Sequence, residues 1–177
     1  MCEITEGRQA LCDAPAGARK AYLYSLKDST GESNYTTPPT VTNGAVTAMA
    51  LKTGKYIHPF FVEAETIEAS ANSIGETAKG SSAHEHEVKI TLMGNTAEDV
   101  ALASKLIKTR VGVILELNDG SFEIFHYEEG FGGKVQRNRS IGQKLDDMNG
   151  SVLTITSRQV GPEAKISSTI VNSLLAP

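Results

Sequence analysis

Two runs rich in β-branched and aromatic residues flank a short turn sequence, and this pattern limits the possible folds more than any other feature of the chain. The runs are residues 111–117 and 121–127, and the turn is Asn118-Asp119-Gly120. Asn, Asp and Gly tolerate the positive φ angles that tight hairpin turns need. The segment therefore predicts an antiparallel β-hairpin and favours a mainly β fold.

Strand-like patterns recur in five other segments, at residues 20–27, 45–52, 55–68, 85–93 and 151–158. An apolar segment at residues 166–175 is interpreted as a terminal strand or tail. Together with the hairpin this predicts about seven to eight strands. Because strands and helices do not alternate along the chain, we expect an antiparallel β-sandwich or barrel.

One segment, residues 96–109, predicts a helix that flanks this sheet. Asn95 or Thr96 can serve as the N-cap, with Glu98 or Asp99 completing a capping box. The apolar positions that form one stripe along the helix are Val100, Ala103, Leu106 and Ile107. Residues 20–177 are expected to form one domain around the sheet and this helix.

Four polar segments are interpreted as regions outside the strands. Residues 1–19 show no sustained period and predict an extended N-terminal arm. Residues 28–43 contain Pro38 and Pro39, which exclude a helix and a central strand, so we expect a loop. Residues 69–83 predict a long loop or hairpin tip, and residues 134–150 are polar and charged.

The composition excludes several classes of protein. The chain has 17 Lys and Arg against 21 Asp and Glu, a net charge of −4, so we expect no concentrated basic surface for nucleic acid. The basic stretch at residues 134–144 is interpreted either as a solvated loop or as a contact with an anionic partner or a neighbouring subunit. No apolar segment fits a signal peptide or membrane span, so Cys2 and Cys12 are expected to be reduced thiols.

The sequence offers little for catalysis or for binding a cofactor. His84 and His86 are two residues apart and can share one strand face, but a third metal ligand would have to come from elsewhere. His58 and His126 are interpreted as core or rim residues. There is no Gly-x-Ser-x-Gly elbow. We therefore expect a non-enzymatic protein with no cofactor and no metal.

Several motifs, taken in chain order, resemble those of phage tail tube proteins, virion structural proteins of phages that infect Bacteroidota. The first is Cys2-x-Ile-Thr-x-Gly-Arg-x-x-x-Cys12, followed by Gly17 and Tyr22-Leu-Tyr. Later come Val113-Ile-Leu-Glu-Leu-Asn-Asp-Gly-x-Phe, Gly130 and Asp147-x-Asn-Gly. The resemblance spans nearly the whole chain.

This resemblance implies a structural subunit that forms stacked hexameric rings around a channel for DNA. The partners that the resemblance implies are other copies of the chain, a tape-measure protein and tail terminator or baseplate proteins, with a sheath if the tail contracts. The protein would assemble in the host cytoplasm and reside in the virion tail. DNA would pass without specific binding, because a negative channel does not attract phosphate.

Two sets of candidate residues follow from this interpretation. Residues expected to face the channel are Glu63, Glu65, Glu116 and Glu123. Residues expected to contact the next ring are Cys2, Ile4, Arg8, Cys12, Ser73, Ile74 and Lys79. Two alternatives remain open at this point: a head-to-tail connector or neck protein, and a small β-barrel that binds a ligand or glycan.

Overall fold

A computed structural model describes residues 17–60, 66–75, 82–93, 96–141 and 149–177. Within these ranges eleven strands form one mixed, mostly antiparallel sheet, accompanied by two helices. The strands are β1 Ala18–Ser25, β2 Tyr35–Thr42, β3 Ala45–Leu51, β4 His58–Phe60, β5 Ile67–Ile74, β6 Ala83–Met93, β7 Arg110–Leu117, β8 Phe122–Phe125, β9 Gly133–Ile141, β10 Asn149–Gln159 and β11 Ala164–Ile166. The helices are α1 Ala97–Leu106 and α2 Ser168–Leu174.

Strand β7 is the centre of the sheet because it pairs with three other strands. On one side it pairs with β1, and on the other it pairs first with β9 and then, further along, with β8. Strands β8 and β9 thus follow one line that is interrupted at residues 126–132. Strands β10 and β11 also follow one line, which is interrupted at residues 160–163, because β10 pairs with β9 and β11 pairs with β8.

The two interruptions divide the sheet into two halves that share β1 and β7. One half continues from β8 through β11 and β3 to β2, and the other continues from β9 through β10 and β6 to β5. Breaks of this kind let strands pass from one sheet layer to another in sandwiches and barrels. The mainly β, sandwich-like or barrel-like fold expected from the sequence is confirmed, with more strands and one more helix.

Each half encloses its own apolar core, and β1 and β7 form the wall between the two. We call core 1 the cluster that joins this wall to β5, β6, β9, β10, Phe125 of β8 and Ala103 of α1. Core 2 joins the opposite face of the wall to β2, β3, β11, α2 and Ile124 of β8. Along β7, Val113 and Leu115 face core 1 while Ile114 faces core 2. The continuous apolar run at residues 111–115 is typical of a strand buried on both faces.

A glycine in this wall makes room for an aromatic ring. Gly112 lies opposite Tyr24 in the β1–β7 register, and the Tyr24 ring occupies the space that a Cβ atom at Gly112 would fill. The Tyr24 hydroxyl lies 2.9 Å from that of Tyr35, which donates to the Tyr127 carbonyl oxygen, also at 2.9 Å. These contacts connect the wall to β2 and to the loop after β8.

The two helices show one confirmed prediction and one wrong one. Helix α1 lies inside the predicted range 96–109, and Thr96 and Asp99 form the capping box. Residues 166–175, predicted as a strand or tail, contain α2 instead. The Ser167 hydroxyl caps its first turn by accepting from the Ile170 amide, and Val171 and Leu174 are buried at helical spacing.

Three segments predicted as loops or polar stretches contain strands. The segment at residues 28–43 contains β2, where Pro38 and Pro39 are tolerated because β2 lies at the sheet edge and its register with β3 is irregular. The segment at residues 69–83 contributes residues 69–74 to β5. The segment at residues 134–150 contains β9, in which buried Val135 alternates with exposed neighbours.

Other predicted boundaries differ more modestly. The strand predicted at residues 55–68 contains β4 and the first residues of β5, and residues 61–65 lie outside the described ranges. Strand β1 begins at Ala18, inside the predicted arm, and residues 1–16 of that arm are not described. The hairpin is confirmed, with Gly120 at a φ of 82° in its turn.

The close contact at Gly112 leads to a test of the wall. We expect Gly112→Ala to lower the free energy of unfolding by about 1–3 kcal/mol, because the added Cβ overlaps the buried Tyr24 ring. Gly130→Ala is the matched control, since a Cβ at Gly130 meets nothing within 4 Å and should change stability by at most about 0.5 kcal/mol. Urea unfolding of both variants measures the difference, and equal values would contradict the tight packing.

Candidate functional site

A network of hydrogen bonds fastens the two strand interruptions to each other. We call residues 126–132 and 160–163 the corner. The Glu128 carboxylate accepts from the backbone amides of Val160 at 3.0 Å and Gly161 at 2.6 Å. The Tyr127 hydroxyl donates to the Pro162 carbonyl oxygen at 3.0 Å. Side chains thus replace the ladder bonds that the interrupted strands lose, which fixes how the two halves of the sheet diverge.

Two buried histidines lie behind the corner. His126 directly follows β8 and has a φ of 55°, and His86 comes from β6. Both are 0% exposed, and their ring centroids are 5.8 Å apart. The His126 Nδ1 atom lies 2.6 Å from the Ser157 hydroxyl. The His86 ring also packs against the Phe125 ring in a T-shaped arrangement, with the ring centroids 5.6 Å apart. The expectation that His126 is a core residue is confirmed.

Burial keeps both histidines neutral. It lowers the pKa of His126 from its ordinary value of 6.5 to about 3, and the neighbouring His86 contributes in the same direction. Burial also lowers the pKa of His86, although the charges of Glu163 and Glu128 act in the opposite sense. His84 lies beside His86, with ring centroids 6.4 Å apart. Within the described ranges no group of three His, Cys, Asp or Glu residues is placed to hold a metal ion.

Glu116, expected to face a channel, is instead buried at the end of β7. Its carboxylate accepts hydrogen bonds from the Arg19 guanidinium and, at 3.0 Å, from the Tyr22 hydroxyl, while the Lys20 ammonium lies 3.7 Å away. Burial opposes ionisation, but the bonds from Arg19 and Tyr22 outweigh it and hold the pKa of Glu116 below its ordinary value. The expectation for Glu116 is wrong, because its side chain is 7% exposed.

The other expected channel residues have mixed positions. Glu123 is partly exposed and lies 2.7 Å from the Lys165 ammonium, its direct neighbour across β8 and β11. Glu63 and Glu65 lie outside the described residues, so a role for them in lining a channel stays a prediction.

Of the residues expected to contact a neighbouring ring, two are described. Ser73 is exposed and Ile74 is half-buried, and both lie at the end of edge strand β5. The others lie outside the described ranges: Cys2, Ile4, Arg8, Cys12 and Lys79. Ring contact stays a prediction for all seven.

The fold gathers a basic surface that the sequence did not predict. A cleft of about 820 Å³ is lined by Lys27, Lys55, Lys108 and Arg110. Two smaller clefts, of about 300 and 320 Å³, adjoin it through Arg110 and include Lys134, with Arg158 in one of them. We call these six side chains the cationic belt. They come from separate parts of the chain, so the composition and the sequence pattern do not reveal this surface. The expectation that no basic surface binds nucleic acid stays a prediction.

The belt and the corner have no counterpart to guide their interpretation. No protein-family model, curated protein or solved structure matches this chain. In the part of the chain that the structure describes, no helix is long and apolar enough to cross a membrane.

The buried histidines lead to a prediction about pH. An unfolded histidine binds a proton below about pH 6.5, whereas folded His126 does so only near pH 3. We therefore expect the free energy of unfolding to be highest above pH 6.5 and to fall between pH 6.5 and 3. His126 alone contributes about 1.4 kcal/mol per pH unit over most of that range.

Two variants isolate this contribution. His126→Asn keeps a residue that tolerates positive φ and should reduce the slope of stability against pH by about one proton. His58→Asn, at an exposed position on β4, should leave the slope unchanged. Urea unfolding between pH 4 and 7 gives the slopes. Identical slopes in the wild type and His126→Asn would contradict a buried, neutral His126.

Proposed function

We propose that this chain is a structural subunit that assembles with copies of itself into stacked rings, as phage tail tube proteins do. One observation carries the proposal: the sheet ends in an edge strand, β5, that pairs with β6 along its whole length and has no partner on its other side among the described strands. Such an edge presents a row of backbone donors and acceptors to another chain.

Three strands, β2, β4 and β5, pair on one side only in the described ranges, and β4 is three residues long. The two longer edge strands differ in what they offer. Strand β2 carries Pro38 and Pro39, which lack backbone N–H groups and so weaken pairing with another strand. Strand β5 has no proline, and its only charged side chain is Glu68. Pairing of β5 with a different strand of the next copy is directional, unlike pairing of β5 with a second β5. Directional contacts generate rings or filaments instead of closed dimers.

The filled interior also supports a structural role over a barrel that holds a ligand. Core 1 contains fully buried side chains from facing strands, including Val88, Ile90, Val113 and Ile155, all 0% exposed. A ligand site in a barrel needs a cavity where these side chains pack. A connector or neck protein of a phage remains the second candidate, because it shares the sandwich architecture and the need for self-association.

In this role the chain's partners would be other copies, a tape-measure protein and tail terminator or baseplate proteins. A sheath would be added if the tail contracts. DNA would pass through the channel, and the net charge of −4 is compatible with transit without adhesion. The protein would reside in the virion tail.

Sedimentation velocity of the purified full chain, with negative-stain electron microscopy, tests this function. We expect large, polydisperse species that are visible as stacked rings or tubes. Isolated rings that never stack would favour the neck protein, and a single monomeric species at all concentrations would contradict self-assembly.

A pair of variants tests the role of β5 in the same assay. Asn72→Lys adds a charge at an exposed position of β5 and should reduce assembly, because lysines protect natural sheet edges from pairing. Thr40→Lys adds the same charge at an exposed position of β2 and should leave assembly unchanged. Equal behaviour of the two variants would remove β5 from the mechanism.

A further inference from the structure

The cationic belt contains more positive charge than its own surroundings neutralise. Two carboxylates line its clefts, those of Asp28 and Glu85. Asp28 Oδ1 already accepts from the Thr30 amide and hydroxyl and the Glu32 amide. Glu85 pairs with Arg158 at 2.9 Å. The four lysines of the belt form no ion pair in the described ranges. Outside the belt, Lys89 and Lys165 do form ion pairs with glutamates.

An acidic surface lies beside the belt. It consists of Glu128, Glu129 and Glu163, which we call the acidic cluster. Glu128 and Glu129 line one groove with Tyr35 and Tyr127, and the Glu128 carboxylate accepts from the amide of Gly161, two residues before Glu163. None of them forms an ion pair with a described residue, although the chain as a whole carries 17 Lys and Arg.

Exposed apolar side chains lie between the cationic belt and the acidic cluster. Phe131 is 52% exposed and lines the belt cleft of about 300 Å³. It also lines a groove of about 560 Å³ that contains Glu128 and Glu129. Val160, 62% exposed, lines the same groove with Pro38 and Pro39. An apolar centre with charged flanks is the usual composition of a protein–protein interface.

We propose that the cationic belt of one copy binds the acidic cluster of a second copy, with Phe131 and Val160 in contact at the centre. This proposal rests on the proposed self-assembly and names a contact that serves it. Opposite charges that face each other across an interface favour the correct partner and fix its orientation. Because each chain carries one belt and one acidic cluster, the belt of each copy contacts the cluster of the next copy around a ring, and both surfaces of every chain are used.

Nucleic acid fits this surface less well than a second copy does. Phosphates would be attracted by the belt but repelled by the adjoining acidic cluster, and by Glu85 within the belt itself. The exposed apolar groove would gain nothing from a phosphate backbone. The chemistry of the partner is therefore that of a protein surface with carboxylates beside apolar side chains.

A charge-reversal series tests the contact by sedimentation velocity at low and high salt. Lys108→Glu removes a belt charge, while Lys105→Glu makes the same change one helical turn earlier, at an exposed position that does not line the clefts. We expect Lys108→Glu to weaken self-association about tenfold at low salt, with a smaller effect at high salt. Lys105→Glu should stay close to the wild type.

A compensating change makes the test specific for the acidic cluster. Glu163 is exposed, so Glu163→Lys alone should also weaken self-association. The combination of Lys108→Glu with Glu163→Lys should restore it, because the charges again oppose each other. Thermal unfolding of each variant confirms that the subunit still folds.

The outcomes separate this contact from the wider proposal. If the wild type assembles and Lys108→Glu assembles equally well, the contact is overturned while self-assembly stands. If the wild type remains monomeric at every salt concentration, both are overturned. Fluorescence anisotropy with a labelled duplex of about 30 base pairs provides the third arm. Binding by the wild type that is lost in Lys108→Glu would assign the belt to nucleic acid and overturn the contact.

Discussion

The burial of β7 on both faces is the constraint on which the rest of the structure depends. Ile114 and Leu115 are adjacent in sequence and point into opposite cores, and each is almost fully buried. Burying one such side chain stabilises the fold by about 1.5–3 kcal/mol. Each face of the wall therefore needs its own cover, and a single flat sheet cannot supply two. The chain meets this need by dividing the sheet into halves that diverge from β7.

This division concentrates polar chemistry at the corner, where two neighbouring strands are interrupted at the same level. Glu128 bonds to the backbone amides of one interruption from within the other, and the adopted geometry includes a histidine at positive φ. The corner also brings His126 next to His86 and leaves Phe131 exposed. One structural solution thus produces both the acid-sensitive interior and the apolar centre of the surface that we assign to a second copy.

The sequence predicts the local features of this fold and misses those that depend on distant pairing. The hairpin around Gly120 and the cap at Thr96 are set by neighbouring residues, so their patterns are reliable. Strand β9 and edge strand β5 are too polar to show an apolar period of two. Pairing with neighbouring strands stabilises them instead, and a sequence pattern does not show that pairing. Burial of Glu116 depends on Arg19 and Tyr22, and the belt on separate segments, so neither had a signal in the sequence. Val171 and Leu174 have helical spacing, but α2 has only seven residues, which is too short for this spacing to predict a helix.

A cryo-EM reconstruction of the assembled full chain is the most direct test of the proposed association of this protein with copies of itself. We expect rings of identical subunits stacked around an open channel, with β5 and the cationic belt covered by neighbouring copies. We also expect the wall of β1 and β7 to keep its two cores within each subunit. Particles that contain one subunit, or closed dimers in which β5 and the belt remain exposed to solvent, would contradict this expectation.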